Sequence, residues 1–374
     1  MIRCLLLMHS HGGGAEQLAV RLAHELDKTR FAVTIACLRH LPAVETALPT
    51  GVQLLMPNTP TLHAALRNVA TIRKHCTQSD VVVGTLELQS LLAAALLAPR
   101  GRALGWLHKD ISAYLAQHDR SYGHLYRYLL GIAASRCKHV ICVSNGVRAS
   151  LAAAVPDHQA SYRTLWNPVD LAHVQRMSQE PLPVALAPYF QQPVLLGVGR
   201  LVQQKAFHTL IAAHALLRQR GGQQVLCIAG EGPERPFLEA EAKRLSVADS
   251  TLLPGFVNPW PLMRHARALG ASSVFEGAPL VLVEALALGL PVVSTDCPSG
   301  PAEILNGGTY GTLVPVGSPL ALANALHPLL DGPYQRDAAR IAAGQARAQE
   351  FSMLNTMGAW TQLLTQCATA SRHS

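Results

Sequence analysis

Short runs of apolar residues alternate along the chain with longer stretches in which apolar positions recur at the spacing of an α-helix. The first run, Ile2–Met8, is followed by three glycines and then by helical spacing over Ala15–Leu26. The same alternation predicts further strands at Phe31–Leu38, Val81–Gly84, Ala103–Leu107, His139–Val143 and Tyr162–Trp166. Repetition of strand, helix and strand predicts a parallel sheet with right-handed crossovers.

The rhythm breaks over residues 171–192, a proline-rich stretch without a clear period, which we interpret as an interdomain linker. It then restarts, with strands expected at Val194–Val198, Gln224–Ala229, Thr251–Leu253, Ala268–Ala271, Val292–Ser294 and Gly311–Val314. The sequence therefore predicts an α/β protein of two Rossmann-like doubly wound domains, residues 1–170 and 193–350, facing across a cleft. Ligands in such sheets bind beyond the carboxyl ends of the strands.

Composition narrows the class of protein. Of 374 residues, 49% are hydrophobic and only 14% are charged, which argues against a disordered or coiled-coil protein. The eight cysteines form no Cys-x-x-Cys pair, and several lie in apolar runs, so we expect them to be core residues in a reducing compartment. No secretory signal and no apolar stretch of roughly 20 residues is visible, so we expect a cytoplasmic protein.

The net charge of +8 is concentrated in one region, because residues 95–165 hold nine basic and three acidic residues. Tyrosines and leucines accompany this charge between Tyr114 and Leu130, among Arg120, Arg127 and Arg136. The pattern favours either a face on an anionic membrane or a core helix with solvated arginines at its edge. No nucleic-acid partner is expected, because no binding module accompanies the charge and aromatic residues make up only 5%.

The glycines at Gly12, Gly13 and Gly14 separate the first strand from its helix. Open backbone N–H groups at a helix start can bind an anion, but a plain tight turn explains the glycines equally well. His9 and His11 precede them without a carboxylate or cysteine at ligand spacing, so no metal site is predicted.

Cations follow the first strand of the second half. Arg200 comes directly after Gly199, and Lys205 lies five positions further on. An arginine fork and a lysine point charge can hold a diphosphate, although two surface cations at a helix start fit the spacing equally well. Gly230–Pro233 follows the next strand as another turn that opens a helix.

The strongest signal is a pair of carboxylates eight positions apart, Glu276 and Glu284. Glu276 precedes a Gly-Ala-Pro turn, and Pro279 suits the start of the helix that carries Glu284. Eight residues are slightly more than two helical turns, so both acids are expected to face one cleft as acceptors for sugar hydroxyls. Taken alone, the helix dipole would also explain Glu276.

Together these motifs resemble family 4 glycosyltransferases of the GT-B fold, of the type that builds bacterial surface polysaccharides. The matching pieces follow the family's order over nearly the whole chain, and more strongly in the second half: Gly13–Glu16, His108, Val143–Ser144, Asn167–Asp170, Gly199–Leu201 with Lys205, Gly230–Pro233, Gly255–Val257, Glu276 with Glu284, Gly289–Val293, Gly300–Ile304 and Gly311–Val314.

The resemblance implies a role for each matching residue. Arg200 and Lys205 would neutralise the donor diphosphate, Glu284 would hold the ribose, and Glu276 would face the transferred sugar. His108 would face the sugar from the N-terminal domain. The remaining donor-binding positions are backbone or base contacts: Gly13, Gly14, Val257, Gly277, Ala278, Pro279 and Leu280. The last segment, residues 351–374, would form a helix that crosses back to the N-terminal domain.

The resemblance to this family implies a retaining hexosyltransferase that needs no metal. It also implies no cofactor, because the nucleotide sugar is a substrate. The segment Cys297–Ile304 most resembles enzymes that use UDP-hexoses or UDP-N-acetylhexosamines, with a saccharide or lipid-linked acceptor. The alternatives are a GDP-sugar donor, a soluble acceptor, a GT-B epimerase, or a two-lobed solute-binding protein. Peripheral attachment to the inner face of the plasma membrane would follow from the basic N-terminal face.

Overall fold

The computed structural model describes residues 1–8, 14–38, 51–55, 62–86, 88–331 and 337–370. The chain divides into two compact units, the first made of Met1–Pro168 with Leu354–Ser374 and the second of Val169–Met353. Each unit is built on one parallel sheet with helical crossovers, which confirms the predicted fold class.

The first unit holds a seven-stranded sheet in the order β3-β2-β1-β4-β5-β6-β7. Its strands are β1 (Ile2–Met8), β2 (Phe31–Cys37), β3 (Gln53–Leu55), β4 (Val81–Leu86), β5 (Ala103–Leu107), β6 (His139–Cys142) and β7 (Tyr162–Thr164). Its helices are α1 (Gly14–Glu25), α2 (Leu62–Gln78), α3 (Leu88–Leu97), α4 (Ile111–Leu115), α5 (Arg120–Arg136) and α6 (Asn145–Ala154).

The second unit holds a six-stranded sheet in the order β10-β9-β8-β11-β12-β13. After α7 (Leu171–Met177), its strands are β8 (Val194–Val198), β9 (Val225–Ala229), β10 (Thr251–Gly255), β11 (Ala268–Ala271), β12 (Val292–Thr295) and β13 (Thr312–Val314). Its other helices are α8 (Phe207–Gln219), α9 (Arg235–Arg244), α10 (Pro259–His265), α11 (Leu280–Ala287), α12 (Pro301–Ile304), α13 (Pro319–Leu330) and α14 (Ala338–Gln349).

The segment 171–192, expected to be a linker, carries a helix and belongs to the second unit. Asp170 begins α7 by accepting a hydrogen bond from the His173 backbone N–H. The His173 ring lies 5.1 Å from the Trp260 ring, centroid to centroid, and Asn258 Nδ2 donates to Glu180 Oε2 over 2.7 Å. A helix of seven residues is too short to give a clear hydrophobic period, so the sequence alone does not reveal it.

The last helix, α15 (Met353–Ala370), belongs to the first unit from Leu354 onward. Its Trp360 ring lies 4.5 Å from the ring of Trp106 on β5. Both indoles are fully buried, so this aromatic contact forms part of the core of the first unit.

All eight cysteines are buried thiols outside any disulfide bond, as expected for core residues. Burial raises the pKa of the Cys4, Cys76 and Cys142 thiols to about 12, so these thiols stay protonated at neutral pH. Across the described ranges, each helix falls short of the length or the apolar character that a membrane span needs.

Candidate active site at the carboxyl ends of the second sheet

The loops after β8 and β11 bring Lys205 and Glu276 together. These strands are neighbours in the sheet and run parallel, so their loops leave from the same edge. Lys205 Nζ lies 2.6 Å from Glu276 Oε1, and the two side chains are only 21% and 10% exposed. Ser273 Oγ donates to the same carboxylate oxygen over 2.7 Å.

Backbone contacts hold the two loops at fixed positions. The Val274 N–H donates to the Gln204 carbonyl over 2.8 Å, and Gln204 Nε2 donates to the Phe275 carbonyl over 2.9 Å. Ser272 Oγ donates to the carbonyl of Lys205 over 2.8 Å. The ion pair is therefore built on a braced frame rather than on two independent loops.

A third loop, after β12, closes over Glu276. The backbone N–H of Glu276 donates to the Pro298 carbonyl on this loop over 3.1 Å. Thr295 Oγ1 donates to the carbonyl of Ser273 over 2.6 Å. Gly300 allows this approach, because a Cβ at that position would lie 2.5 Å from Pro279 Cδ. Glu276 is thus fixed by residues from three loops.

Arg200 differs from Lys205 in being exposed. Among the described residues its guanidinium has no hydrogen-bond or ion-pair partner. The two cations predicted to share one role therefore start from different states, since Lys205 is neutralised by a carboxylate and Arg200 is not.

The loop Gly230–Pro233 supports the backbone beside Arg200. The Leu201 N–H donates to the Glu231 carbonyl over 2.8 Å, and the Gly230 N–H donates to the Gly255 carbonyl over 2.9 Å. A Cβ on Gly230 would lie 1.8 Å from the Gly199 carbonyl oxygen, so only glycine fits there. Backbone hydrogen bonds therefore hold the loops after β8, β9 and β10 in fixed positions relative to one another.

The side chain of Glu231 serves this loop rather than a ligand. Arg235 lies with Nη2 2.6 Å from Glu231 Oε1 and also donates to the Leu253 carbonyl. A side-chain hydrogen bond from Arg235 lowers the pKa of Glu231. This pair is half-exposed and helps hold the turn that carries Gly230.

The helix-spacing argument for the two acids is wrong in one respect. Pro279 is the N-cap residue of α11, so Glu276 stands on the preceding loop and only Glu284 lies on the helix. Gly277 is buried, whereas Ala278, Leu280 and Glu284 are half-buried. The orientation of Glu276 is set by Ser273 and Lys205, not by helical periodicity.

Val257 is half-buried and follows Gly255 at the end of β10. Gly255 has a φ of +84°, which turns the chain sharply at this point. The intervening Phe256 belongs to the same motif but was given no role from the sequence, and it is 86% exposed. The sequence shows an aromatic residue between a glycine and a valine, but it does not show that the ring is exposed.

In the first unit, His108 directly follows β5 and its ring lies 4.6 Å from that of Trp106. Its Nε2 atom is buried and has no hydrogen-bond partner among the described residues. Burial and the charge of Lys109 lower the pKa of His108 to about 3. The imidazole is therefore neutral at physiological pH and can exchange a hydrogen bond with a ligand, but it cannot carry a charge.

Of the two glycines predicted to approach the donor, Gly14 is the first residue of α1, and Gly13 lies outside the described residues. The predicted residues Arg200, Lys205, Val257, Glu276–Leu280 and Glu284 all belong to the second unit. Ser273 was missed, although a hydroxyl three positions before Glu276 was a usable signal.

The geometry of the second unit suits a ligand with both an anionic and a hydroxyl-rich part. Arg200 and Lys205 offer positive charge, and the carboxylate of Glu276 offers acceptor oxygens at the same sheet edge. Within the described ranges, no group of three histidine, cysteine or acidic side chains lies together as a metal site would require.

Comparison with known proteins places the two halves of the chain. Residues 12–173 match the model of Glycosyltransferase Family 4, and residues 179–347 match that of Glycosyl transferases group 1. The crystal structure of HepE from Anabaena in complex with UDP and glucose superposes with a TM-score of 0.80, covering 98% of this chain and 100% of HepE at 20% identity. The two domains therefore have the GT-B fold.

Curated relatives are similar in sequence over shorter stretches. The N-acetylgalactosamine-N,N'-diacetylbacillosaminyl-diphospho-undecaprenol 4-alpha-N-acetylgalactosaminyltransferase of Campylobacter jejuni is 34% identical over 188 residues, half of this chain and 49% of that protein. The amylovoran biosynthesis glycosyltransferase AmsD of Erwinia amylovora is 25% identical over 83% of this chain and 85% of its own length. The chain thus spans about half the length of the first of these relatives. Each half of the chain is thus similar to its own glycosyltransferase family model, Glycosyltransferase Family 4 over residues 12–173 and Glycosyl transferases group 1 over residues 179–347.

Proposed function

We propose that this protein is a retaining glycosyltransferase that moves a hexose or N-acetylhexosamine from a UDP-sugar to a hydroxyl of a lipid-linked or glycolipid saccharide in cell-envelope polysaccharide synthesis. The ion pair of Lys205 with Glu276, beside the exposed Arg200, is the observation that carries the proposal. A diphosphate requires fixed cations and a sugar requires hydroxyl acceptors, and this one sheet edge supplies both.

In the proposed donor complex, Arg200 and Lys205 bind the diphosphate and stabilise the charge that grows on the leaving oxygen. Glu284 accepts hydrogen bonds from the ribose, and Glu276 accepts them from the transferred sugar. We assign backbone contacts with the sugar and phosphates to residues 277–280, Gly13 and Gly14, and a contact with the base to Val257.

We also assign a contact with the transferred sugar to His108. Its buried and unpartnered Nε2 supports this role, because a ligand hydroxyl would satisfy an otherwise costly orphan group. With a pKa of about 3, it would act as a neutral hydrogen-bonding group and not as a general acid.

Transfer would proceed by front-face substitution. The acceptor hydroxyl forms a bond to the anomeric carbon on the face from which UDP departs, and the hydroxyl proton leaves with the diphosphate. Glu276 is better suited to hold a sugar hydroxyl than to attack carbon, because its Oε1 already accepts from Lys205 and Ser273. Catalysis would then be electrostatic, because Arg200 and Lys205 supply positive charge where the leaving group becomes negative.

Relatives support the substrate class. The comparison structure of HepE holds UDP and glucose, and the Campylobacter relative is named for a diphospho-undecaprenol substrate. No metal ion or cofactor is needed in the proposed mechanism, because Arg200 and Lys205 take over charge neutralisation. Activity should therefore persist in excess EDTA without added Mg²⁺ or Mn²⁺.

For a lipid-linked acceptor, we propose that the first unit rests on the anionic inner leaflet. On α5, Leu125 is 56% and Tyr128 is 68% exposed, and Arg120 and Arg127 are also exposed. Tyr126, by contrast, is buried. The helix therefore buries one face and presents leucine, tyrosine and arginine on another, a composition suited to lipid headgroups.

The decisive experiment measures binding and turnover separately. Thermal shift and calorimetry with UDP-, GDP- and ADP-sugars identify the nucleotide, and NMR of the product reports whether the anomeric configuration is retained. We expect UDP-sugars to bind and to be consumed only with an acceptor. Preference for GDP-sugars would replace the proposed donor, conversion without acceptor would indicate an epimerase, and binding of free sugars alone would indicate a solute-binding protein.

A further inference from the structure

In the proposed donor site, Lys205 already forms an ion pair with an acid of the same site, Glu276. Lys205 Nζ contacts Glu276 Oε1 at 2.6 Å, and less than a quarter of either side chain is exposed. Arg200 is exposed and unpartnered among the described residues. A diphosphate can therefore meet Arg200 directly, but it must compete with Glu276 for Lys205.

Glu276 cannot give up this partner without cost. Its residue exposure is 7%, and Ser273 Oγ donates to the same oxygen that Lys205 contacts. The backbone N–H of Glu276 is held by the Pro298 carbonyl, and loops on both sides are braced. The carboxylate has little freedom to swing into solvent, so loss of Lys205 leaves a poorly compensated buried charge.

A UDP-sugar and UDP differ in how far they can compensate the Glu276 carboxylate for the loss of Lys205. A UDP-sugar brings hydroxyl groups that can donate to the Glu276 carboxylate while its diphosphate recruits Lys205. UDP alone brings the diphosphate without the sugar hydroxyls, so it recruits Lys205 only by leaving Glu276 uncompensated. No hydrogen bond from the described residues reaches Glu276 Oε2, which leaves that oxygen for a hydroxyl.

Resting on the proposed function, we infer that the Lys205–Glu276 ion pair selects the intact donor over the UDP product. The pair lowers the affinity for UDP and leaves that for UDP-sugar largely unchanged, and so it limits product inhibition. Specificity arises because the wrong ligand leaves a charged group unpaired, and not because the right ligand gains an extra contact.

The inference predicts that weakening the acid strengthens product binding. Calorimetry should compare UDP with UDP-glucose and UDP-N-acetylglucosamine on the wild type, Glu276→Gln and Glu276→Asp, with melting curves to verify folding. We expect Glu276→Gln to bind UDP about tenfold more tightly, equivalent to about 1.4 kcal/mol, and to bind neither UDP-sugar more tightly. Glu276→Asp retains the charge but shortens the reach to Lys205, so it should tighten UDP binding by a smaller factor.

A double-mutant cycle separates the ion pair from simple charge repulsion. In the Lys205→Met background, Glu276→Gln should change UDP affinity less than twofold, because no lysine remains to be released. Unchanged or weaker UDP binding in Glu276→Gln, or equal tightening without Lys205, would overturn the inference. A wild type that binds UDP-sugars while this cycle fails leaves the proposed function intact, whereas one that binds no nucleotide refutes both.

Discussion

Ser273 is the residue that orients Glu276, because its hydroxyl donates over 2.7 Å to the oxygen that also contacts Lys205. Removing that hydroxyl in Ser273→Ala should cost about 1 kcal/mol and lower kcat/KM several-fold to tenfold. Ser273→Thr retains the hydroxyl and should restore most of the activity. Ser294→Ala removes another buried hydroxyl that does not contact Glu276, so it serves as the control. Equal losses in Ser273→Ala and Ser294→Ala would show that the effect is only structural.

In the proposed mechanism Arg200 acts on growing charge and Glu284 on a part of the donor that does not react, so the two should respond differently to removal. Glu284→Ala should weaken UDP binding, because ribose contacts are lost in the ground state and the transition state alike. Arg200→Ala should lower turnover more than binding. Each lost charge-assisted contact should cost about 1.5–3 kcal/mol, or roughly one to two decades. Steady-state kinetics with calorimetry resolve the two effects, and full activity of both variants would remove the donor-site assignment.

The identity of these side chains was readable from the sequence, but their pairing was not. Lys205 and Glu276 are 71 positions apart, and only the adjacency of β8 and β11 brings them together. That adjacency depends on a sheet order in which β11 follows β8 in space while two strands intervene in the chain. Ser273 stands only three positions before Glu276, so its hydroxyl was a usable signal, but its hydrogen bond depends on how this loop folds back on itself.

At the scale of elements, the close approach of Gly230 to the Gly199 carbonyl fixes the position of the loop that presents Arg200. A Cβ at position 230 would approach that oxygen to 1.8 Å, so Gly230→Ala must displace one of the two loops. We expect a loss of about 1–3 kcal/mol in the free energy of unfolding and weaker UDP binding. Gly358→Ala, on a helix with no atom within 4 Å of the new methyl, should be neutral or slightly stabilising. Urea denaturation of both variants tests the difference, and an unchanged midpoint for Gly230→Ala would contradict it.

The bounds of the central strands followed from the sequence, whereas short and peripheral elements did not. β1, β5, β8 and β11 coincide with their predicted ranges, because fully buried parallel strands are continuous apolar runs. β3 has three residues and no buried position, so it left no pattern. The helix α14 was not predicted either, since the residues that it buries, Gly344 and Ala348, are small and leave no run of large apolar side chains at helical spacing.

At the scale of the whole molecule, a buried histidine couples stability to pH. His214 is fully buried in the second unit, and its Nε2 lies 2.9 Å from Ser250 Oγ. Burial and the nearby charge of Arg218 lower its pKa from 6.5 to about 4. The unfolded chain therefore binds more protons than the native chain between these values, and stability falls as the pH drops from about 6.5 to 4.

Replacing that histidine should flatten the pH profile. Between pH 7 and 5, the free energy of unfolding of His214→Gln should fall by about 1–2 kcal/mol less than that of the wild type, because glutamine does not titrate. Urea denaturation at each pH measures this difference. His208→Gln, on the exposed face of the same helix, is the matched control and should keep the wild-type slope. Parallel slopes for wild type and His214→Gln would disprove the coupling.

The proposed membrane face is a property of the first unit as a whole, because its charge comes from many elements. Residues 95–165 carry a net +6, and α5 contributes the exposed side chains of Arg120, Leu125, Arg127 and Tyr128. Charge near an anionic surface is worth about 1 kcal/mol for each arginine and is screened by salt. The apolar groups add an interaction that salt does not weaken.

Co-sedimentation with vesicles tests this face directly. The protein should bind vesicles containing anionic lipid and not purely zwitterionic ones, and binding should weaken as salt rises. Reversing both charges in Arg120→Glu with Arg127→Glu should lower the vesicle affinity by more than tenfold, since two attractions become repulsions. Arg264→Glu places the same kind of change on an exposed site of the second unit and should have little effect. If neither vesicle type is bound, or if Arg264→Glu is as harmful as the reversals on α5, then the acceptor reaches the enzyme from solution and this face has no role in its capture.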